Sequence, residues 1–376
     1  MKLHTFVTDI TDPRERGRLI GERFAPEIRE TVALYLAFFP KLGIALQRAR
    51  EIGEASLASL GAWCPRLAAE VEAIADGVEL PRWQLACLNA RTEILATAPA
   101  SAEGECSTTV HAPAGPQAPR TLQTWDWHDS LAPQGLLMQF ATPHGRTVKL
   151  FSEFGMLAKL GVNSAGLGLH FNILHHASDN DSAGVPVHAI ARRLLEDATT
   201  VQEAIDIART ARVSASTVLT VFTRHDANPR AASIELSPSD VGVVVPRPDG
   251  WLLHTNHFLD RALSGGECMP DSSTTRERFA HLNDVVNGMT SADVRERAAA
   301  MCGAAGDQAV VCFHPDLSMP DTERWATLLT VGIDTDACAL DYVAGNPHDL
   351  ARAGALRFCR DVRFVVRPGG TRVPPS

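Results

Sequence analysis

The sequence predicts an α+β protein in which helices cover the outer faces of two β-sheets. Three observations favour this class: roughly the first hundred residues have helical periodicity, the period becomes strand-like at Cys106, and a second set of strands follows a later helical stretch. The chain has 376 residues, of which 45% are apolar and 21% charged, so it can bury a substantial core. The change of period at Cys106 divides the chain into two consecutive segments, residues 1–105 and 106–376, which we expect to form one structural unit.

The first segment is predicted to be entirely helical. Pro13 follows Asp12 in the manner of a helix start, and apolar residues recur at helical intervals through residues 13–60. A further helix is predicted over residues 65–76, and another begins after Pro81. The segment before Cys106 should therefore pack as a layer of helices.

The second segment begins with a run of short strands. These are predicted at 106–111, 121–127, 135–142, 147–154 and 166–173. Tight turns join them, which favours an antiparallel sheet. A helical stretch at 186–211 follows, in which Thr199 and Thr200 with Glu203 indicate a capping box for a second helix.

A second strand set and a final mixed region complete the pattern. The strands are predicted at 216–224, 231–236, 241–246 and 251–255. Two helices, at 274–288 and 291–302, and a hairpin formed by 326–333 and 337–343 are predicted after them. The alternation of strand sets and helices predicts two sheets with helices outside.

Composition excludes several classes of function. A net charge of −9 argues against non-specific nucleic-acid binding, and no apolar run approaches the roughly 20 residues that span a bilayer. The start of the chain lacks the apolar core of a signal peptide, so we expect a cytoplasmic enzyme. Neither the eight scattered cysteines nor His170, His175 and His176 have a metal-ligand spacing, and no nucleotide-binding loop occurs, so no metal or cofactor is predicted.

Several short motifs occur in a fixed order along the chain. They are Arg16-Gly17-Arg18-Leu19-Ile20-Gly21, Cys87 to Ile94, Gly104-Glu105-Cys106-Ser107-Thr108-Thr109-Val110, Trp125-Asp126-Trp127, Asn163 to Gly166, Leu253 to Phe258 and Arg324 to Leu328. Together they resemble the isopenicillin-N acyltransferase (acyl-coenzyme A:6-aminopenicillanic acid acyltransferase) family of N-terminal-nucleophile (Ntn) hydrolases. The resemblance implies an αββα four-layer sandwich. It also implies a precursor that cuts itself before a cysteine, which then becomes the nucleophile.

The chemistry of Cys106 agrees with such a cut. A free thiol has a pKa of about 8.5, so it needs a base at neutral pH, whereas an α-amino group has a pKa of about 7.7–8.0 and can accept the thiol proton. Cleavage between Glu105 and Cys106 would therefore create the base as well as the nucleophile. Glu105 stands where family members usually carry Gly. The resemblance gives Thr108 a part in the cleavage step, and an ordinary strand-forming role is the equal alternative.

Three more residues are candidates for the catalytic site. The resemblance implies that Asp126 orients the new amine, that Asn256 donates to the oxyanion, and that Arg324 lies near the nucleophile. A side-chain amide suits an oxyanion hole because it donates hydrogen bonds without carrying charge. Glu323 could pair with Arg324.

Arg91 and Glu93 lie late in the first segment. We expect them to form an ion pair that fixes this segment against the main body, because buried charges require partners.

The main hypothesis is a self-processing cysteine amidohydrolase or acyltransferase. An acyl-Cys106 intermediate would pass its acyl group from an amide or acyl-coenzyme A donor to water or to an amine, and the two fragments of the cut chain would stay associated. Self-association into a homo-oligomer stays open. One alternative is an intact single-chain hydrolase with His254 or His257 as base, and another is a binding protein without catalysis.

Overall fold

Two β-sheets form the centre of the fold in the computed structural model, which describes residues 1–98, 105–225, 227–270 and 273–359. The strands are β1 (Lys2–Val7), β2 (Ser107–His111), β3 (Arg120–His128), β4 (Gln134–Ala141), β5 (Thr147–Ser152), β6 (Leu160–Asn163), β7 (Leu167–Ile173), β8 (Thr217–Thr223), β9 (Ala231–Leu236), β10 (Val241–Val244), β11 (Trp251–His254), β12 (Trp325–Asp334), β13 (Ala339–Val343) and β14 (Leu356–Phe358). The larger sheet has the order β1-β4-β5-β6-β7-β8-β9-β10, and the smaller has the order β11-β2-β3-β12-β13-β14.

Helices cover both sheets. They are α1 (Pro13–Arg23), α2 (Ala25–Lys41), α3 (Leu46–Trp63), α4 (Pro65–Val78), α5 (Arg82–Asn89), α6 (Arg91–Leu95), α7 (Val187–Asp197), α8 (Val201–Arg209), α9 (Thr275–Val285), α10 (Val294–Cys302) and α11 (Pro347–Ala353). Helices α7 and α8 pack on the larger sheet, whereas α9, α10 and α11 pack on the smaller one. Because strands β2, β12 and β13 contact the larger sheet, the layers follow the order α, β, β, α, and the predicted αββα fold is confirmed.

The first segment forms a helical layer, as predicted. Asp12 caps α1 by accepting a hydrogen bond from the Glu15 backbone N–H at 2.8 Å. Helices α1 and α4 approach so closely that a Cβ atom at Gly17 would lie 2.6 Å from the Glu70 carbonyl oxygen. Glycine is therefore required at this crossing.

The prediction that the first segment is entirely helical is wrong at its beginning. Lys2–Val7 forms β1, which pairs in parallel with β4 at the edge of the larger sheet. Its partner lies more than a hundred residues away, so no local turn signal announces the pairing. The first segment is thus built into the sheet of the second.

The local signals of the second segment are largely confirmed. Thr200 and Glu203 form the predicted capping box at the start of α8. Strands β6 and β14 and helix α11 were not predicted, and all three are short. Most strand pairs are antiparallel, as expected from the short turns.

The register of the smaller sheet brings the two central motifs together. Strand β2 pairs with β3 on one side and with β11 on the other, and Thr108 lies opposite both Gln123 and His254. Cys106 precedes Thr108 by two residues, and Asn256 follows His254 by two. In an antiparallel pair these two positions lie side by side.

No helix in the described ranges is both long and apolar enough to cross a bilayer.

Candidate active site

Cys106 lies at the entrance to β2 and is buried, with 3% of its surface exposed. Its backbone N–H donates to Asn256 Oδ1 at 2.9 Å. Its carbonyl oxygen accepts hydrogen bonds from Asn172 Nδ2 at 3.1 Å and from the Arg278 guanidinium at 2.7 Å. The backbone on both sides of the Cys106 Cα atom is therefore fixed by side chains.

The thiol lies among groups that suppress its ionisation. Burial, together with the carboxylate of Asp126, raises the pKa of the Cys106 thiol to about 12. The backbone N–H of Asp126 and the cations of Lys159 and Arg91 act in the opposite direction. In the uncut chain the sulfur is a protonated thiol at neutral pH.

Asp126 is close to this thiol, as the sequence predicted. Its side chain is fully buried, and its Oδ2 accepts a hydrogen bond from Thr124 Oγ1 at 2.9 Å. Burial raises the pKa of Asp126 well above its ordinary value, although the hydroxyls of Thr327 and Thr124 oppose this. Its Oδ1 makes no well-formed hydrogen bond with any described residue, so one acceptor remains beside Cys106.

Asn256 lies beside Cys106, as expected, but contacts it through its amide oxygen rather than through its N–H groups. Its Oδ1 accepts from the Cys106 N–H and from Arg278 at 2.9 Å, while its Nδ2 donates to the Ile173 carbonyl at 2.9 Å. The uncut chain thus uses Asn256 as an acceptor. A primary amide has a second N–H, which keeps the predicted oxyanion role available.

Thr108 reaches Cys106 through an intermediate side chain. Thr108 Oγ1 donates to Asn172 Oδ1 at 2.8 Å and accepts from Gln123 Nε2 at 2.8 Å. Asn172 in turn holds the Cys106 carbonyl. The described contacts therefore connect Thr108 by a chain of two hydrogen bonds to the Cys106 carbonyl, one peptide after the predicted cleavage point.

Glu105, the residue before Cys106, is also buried. Its carboxylate accepts hydrogen bonds from Ser273 Oγ at 2.9 Å and Thr274 Oγ1 at 3.4 Å, and forms an ion pair with Arg278. Arg278 is fully buried in α9 and also contacts the Cys106 carbonyl. One guanidinium therefore holds groups on both sides of the peptide bond between Glu105 and Cys106.

Sequence reasoning missed Arg278 and Asn172. Asn172 has a signal in the sequence, because it is an uncharged polar residue within the otherwise mostly apolar strand β7. Arg278 has none, since the surrounding Thr275-Arg276-Glu277-Arg278 is typical of an exposed helix surface. Its burial follows from the packing of α9 against β2 and β11.

The expected Arg91–Glu93 ion pair does not form. Arg91 pairs instead with Glu153 at 3.3 Å, and Glu93 Oε1 accepts from the Val187 N–H at 2.8 Å. Both contacts still fix the first segment against the main body. The two side chains diverge because they belong to a short helix, α6, on which positions two apart do not face each other.

A buried network extends from Arg91 towards the thiol. Tyr35 donates to Glu153 at 2.6 Å, and Lys159 pairs with Glu153 at 2.9 Å. Burial alone would raise the pKa of Glu153, but the cations of Arg91 and Lys159, together with the hydrogen bonds from Tyr35 and Lys159, outweigh it and lower the pKa. Burial, together with Arg91, lowers the pKa of Lys159 to about 8.

Arg324 is placed differently from the other predicted residues. Its Nε donates to Asp129 Oδ1 at 2.6 Å, so its described partner is Asp129 rather than the neighbouring Glu323. Arg324 directly precedes β12, whose first residue, Trp325, lies opposite His128 at the end of β3. This contact lies beyond Asp126 along β3, and the part of Arg324 in catalysis stays a prediction.

The histidines of the alternative mechanism have other partners. Both ring nitrogens of His254 are engaged, one with Glu235 at 2.7 Å and the other with the Thr255 carbonyl at 2.9 Å. His257 Nδ1 contacts the Thr275 hydroxyl at 3.0 Å, and burial lowers the pKa of His257 to about 4. Neither contact directs a base at the thiol.

No group of three or more His, Cys, Asp or Glu side chains in the described part of the chain is arranged to hold a metal ion.

Comparison with known proteins identifies the family. The model of a family described as acyl-coenzyme A:6-aminopenicillanic acid acyl-transferase matches residues 116–349. The chain belongs to this acyltransferase family. The match begins downstream of Cys106, so the predicted cut lies outside it.

A curated relative is similar over part of its length. The 40 kDa form of acyl-coenzyme A:6-aminopenicillanic-acid-acyltransferase from Emericella nidulans is 29% identical over 231 residues, which are 61% of this chain and 62% of that protein. The chain thus matches about three fifths of the length of this relative.

Three solved structures match the chain at low identity. Penicillin V acylase from Agrobacterium tumefaciens is 16% identical, with 64% of this chain and 83% of that chain covered and a TM-score of 0.36. An N-acylethanolamine-hydrolyzing acid amidase ortholog from Caenorhabditis elegans is 13% identical, with coverages of 61% and 93% and a TM-score of 0.42. A mutant of the conjugated bile acid hydrolase from Clostridium perfringens is 12% identical, with coverages of 63% and 89% and a TM-score of 0.38.

Proposed function

We propose that the chain is a self-processing acyltransferase or amidohydrolase that cuts itself between Glu105 and Cys106. The proposal rests on one observation: groups on both sides of the peptide bond before Cys106 are fixed next to a buried thiol. Asn256 accepts from the Cys106 N–H, and Arg278 binds both the Glu105 carboxylate and the Cys106 carbonyl. Fixing the reacting groups in one geometry removes much of the entropic cost of an intramolecular attack.

The proposed cut has two steps, transfer of the Glu105 acyl group from nitrogen to sulfur and hydrolysis of the resulting thioester. Cys106 Sγ attacks the Glu105 carbonyl carbon, the peptide C–N bond breaks, and the thiol proton goes to the departing nitrogen. A thioester between Glu105 and the sulfur results, with a free α-amine on Cys106. Water then hydrolyses the thioester, which leaves a Glu105 α-carboxyl group and a free thiol.

The cut supplies the base that the uncut site lacks. Because burial raises the pKa of the Cys106 thiol to about 12, the thiol stays protonated at pH 7, and Cys106 in the uncut chain is a poor nucleophile towards external substrates. The new α-amine, with an ordinary pKa near 8, can take the thiol proton. Asn256 Oδ1, which already accepts from the Cys106 nitrogen, would hold an amine N–H and leave the amine lone pair for the thiol.

Other residues support this arrangement in the proposal. Asp126 Oδ1 is an acceptor without a well-formed hydrogen bond among the described residues, and it would orient the new amine. Thr108 positions the Cys106 carbonyl through Asn172 during the cut. Asn256 donates its second N–H to the oxyanion, and Arg324 binds near the nucleophile once substrate is present.

In turnover the acyl group passes through Cys106. The sulfur attacks an amide or thioester donor, the amine or thiol of the donor leaves with a proton, and water or an amine takes the acyl group from the sulfur. The family name supports a small-molecule acyl donor of this kind. Water as acceptor makes the enzyme a hydrolase, and an amine makes it a transferase.

The two fragments should stay together after the cut. Strand β1 pairs with β4 across the fragments, and the Arg91–Glu153 ion pair is fully buried. Asn89 donates to the Gly155 carbonyl at 2.9 Å and accepts from the Leu157 N–H at 3.0 Å. Separation would expose these groups and the apolar faces of α1–α6.

The intact mass of the purified protein tests the proposal. We expect two fragments that divide after Glu105 and elute together under native conditions, and a single uncut chain for Cys106→Ala. Cys87→Ala is the matched control, because burial also raises the pKa of Cys87 to about 12 at a site away from the cut. An uncut wild-type chain, or equal cleavage in Cys106→Ala, would refute self-processing by Cys106.

A further inference from the structure

The carboxylate of Glu105 occupies a built anion site. Arg278, Ser273 and Thr274 all bind it, and the side chains of Arg278 and Glu105 are 0% and 6% exposed. All three binding residues belong to the second segment, so they remain in place after the proposed cut. Their polar groups point at the position of one acyl side chain.

Loss of Glu105 from this site would leave a charge without its counterion. Removing one partner of a buried ion pair is strongly unfavourable, because the remaining ion is desolvated and unpaired. The Arg278 guanidinium would keep the Cys106 carbonyl and Asn256 Oδ1 as neutral partners, at 2.7 and 2.9 Å. A new anion in the place of Glu105 therefore binds favourably.

The Glu105 acyl group and the acyl group of a substrate attach to the same sulfur. The proposed cut passes through a thioester of Glu105 on Cys106 Sγ, and turnover passes through a thioester of the donor's acyl group on that atom, so we place the two acyl groups in one site. The acyl group of Glu105 carries its carboxylate beyond Cα, Cβ and Cγ, which is the length of a glutaryl group. The site is thus already shaped to bind an acyl group with a terminal carboxylate.

We propose that the mature enzyme prefers acyl donors whose acyl group ends in a carboxylate at glutaryl length, with Arg278, Ser273 and Thr274 as the residues that determine this specificity. This inference rests on the proposed function. In the reaction, a glutaryl amide and the Cys106 thiol give a glutaryl thioester and a free amine, and water then releases glutarate and restores the thiol.

The test compares anilides that differ only in the acyl end. Processed wild-type protein is assayed with glutaryl-p-nitroanilide and with pentanoyl-p-nitroanilide, which has the same length but no charge. A charge-assisted hydrogen bond contributes about 1.5–3 kcal/mol, so kcat/KM should be roughly 10- to 100-fold higher for the glutaryl substrate. Succinyl and adipyl anilides, shorter and longer by one carbon, should both be poorer substrates.

Variants assign the preference to the anion site. In Arg278→Met the ratio of the glutaryl to the pentanoyl rate should fall to about one or below. Because Arg278 also binds the Cys106 carbonyl, self-cleavage can fail in this variant. Ser273→Ala is therefore the second test, since Ser273 contacts Glu105 but not Cys106. Ser273→Ala should reduce the ratio of the glutaryl to the pentanoyl rate several-fold.

A second readout does not depend on the leaving group. Glutarate should slow the alkylation of Cys106 by iodoacetamide in the processed enzyme, and pentanoate at the same concentration should not. Equal protection by the two acids, no protection by glutarate, or equal rates for the two anilides would overturn the inference while leaving the proposed function intact. An uncut chain would instead overturn the proposed function itself.

Discussion

Removing the Glu105 carboxylate should destabilise the uncut protein measurably. The change is Glu105→Ala in a Cys106→Ala background, which keeps the chain uncut while retaining the backbone groups that Arg278 and Asn256 bind. The alanine leaves the buried guanidinium of Arg278 without its anion, and the loss of one partner of a buried pair typically costs about 3–5 kcal/mol. We expect about 3 kcal/mol, the lower end, because Arg278 retains four neutral acceptors: the Cys106 carbonyl, Asn256 Oδ1, Ser107 Oγ and Thr274 Oγ1.

Matched variants separate the charge from the shape. Glu105→Gln keeps the contacts with the hydroxyls of Ser273 and Thr274 and loses only the charge, so it should cost about 2 kcal/mol or less. Arg278→Met combined with Glu105→Ala should recover much of the loss, because replacing both partners of a buried pair by apolar groups is often neutral.

Urea unfolding followed by tryptophan fluorescence measures these costs. The chain has six tryptophans. The Cys106→Ala protein and its Glu105→Ala, Arg278→Met and combined variants form a double-mutant cycle. A coupling energy of at least about 1.5 kcal/mol between Glu105 and Arg278 is expected for neighbours that share a buried interaction. Additive effects of the two substitutions, within about 0.5 kcal/mol, would show that the ion pair does not form and would refute the reasoning.

Three further predictions concern catalysis and pH. Asn256→Ala should slow both self-cleavage and turnover by roughly 10²–10³-fold, because the acceptor for the cysteine nitrogen and the oxyanion donor are lost together. Asn256→Asp keeps the acceptor oxygen and loses only the donor, so it should retain more cleavage than turnover. Time courses of fragment formation and of acyl transfer distinguish the two variants. Burial raises the pKa of Glu93 to about 8, so between about pH 4.5 and 8 the folded state holds a proton that the unfolded state has released. The free energy of unfolding of the wild type should therefore fall, relative to that of Glu93→Gln, as pH rises from about 4.5 to 8, and then level off. Parallel urea midpoints across that range check this, and a constant difference would contradict it. If Arg324 acts on bound substrate, as proposed, Arg324→Ala should lower kcat/KM at least tenfold. Asp129→Ala, which removes only the ion-pair partner of Arg324, should not lower it to this extent. Equal effects of the two variants would indicate that only the ion pair matters.

Local signals in the sequence predicted much of the fold. The change from helical to strand period at Cys106, and the Thr200–Glu203 capping box, depend on residues close in the chain and are both found in the structure. Strand β1 was missed because its partner, β4, is distant and pairs in parallel without a hairpin turn. Periodicity reports the form of an element and says little about which distant element it joins.

The site was predicted in part. The family resemblance named Asn256, and the register of β2 and β11 explains why it lies beside Cys106. The expected hairpin of the first two strands of the second segment, together with the resemblance, pointed to Asp126 near the thiol. Arg278 was not predictable, because its burial depends on how α9 docks against the smaller sheet. Arg91 was assigned the wrong partner, since Glu153 is close only in the folded chain.

Labelling with 2-cyanobenzothiazole tests most directly whether a cut before Cys106 makes this residue a terminal nucleophile. This reagent condenses stably with a 1,2-aminothiol, which only an N-terminal cysteine provides. We expect one label on the fragment that begins at Cys106 and loss of acyl transfer in proportion to labelling. An active protein of 40.5 kDa that remains uncut and takes up no label would contradict it.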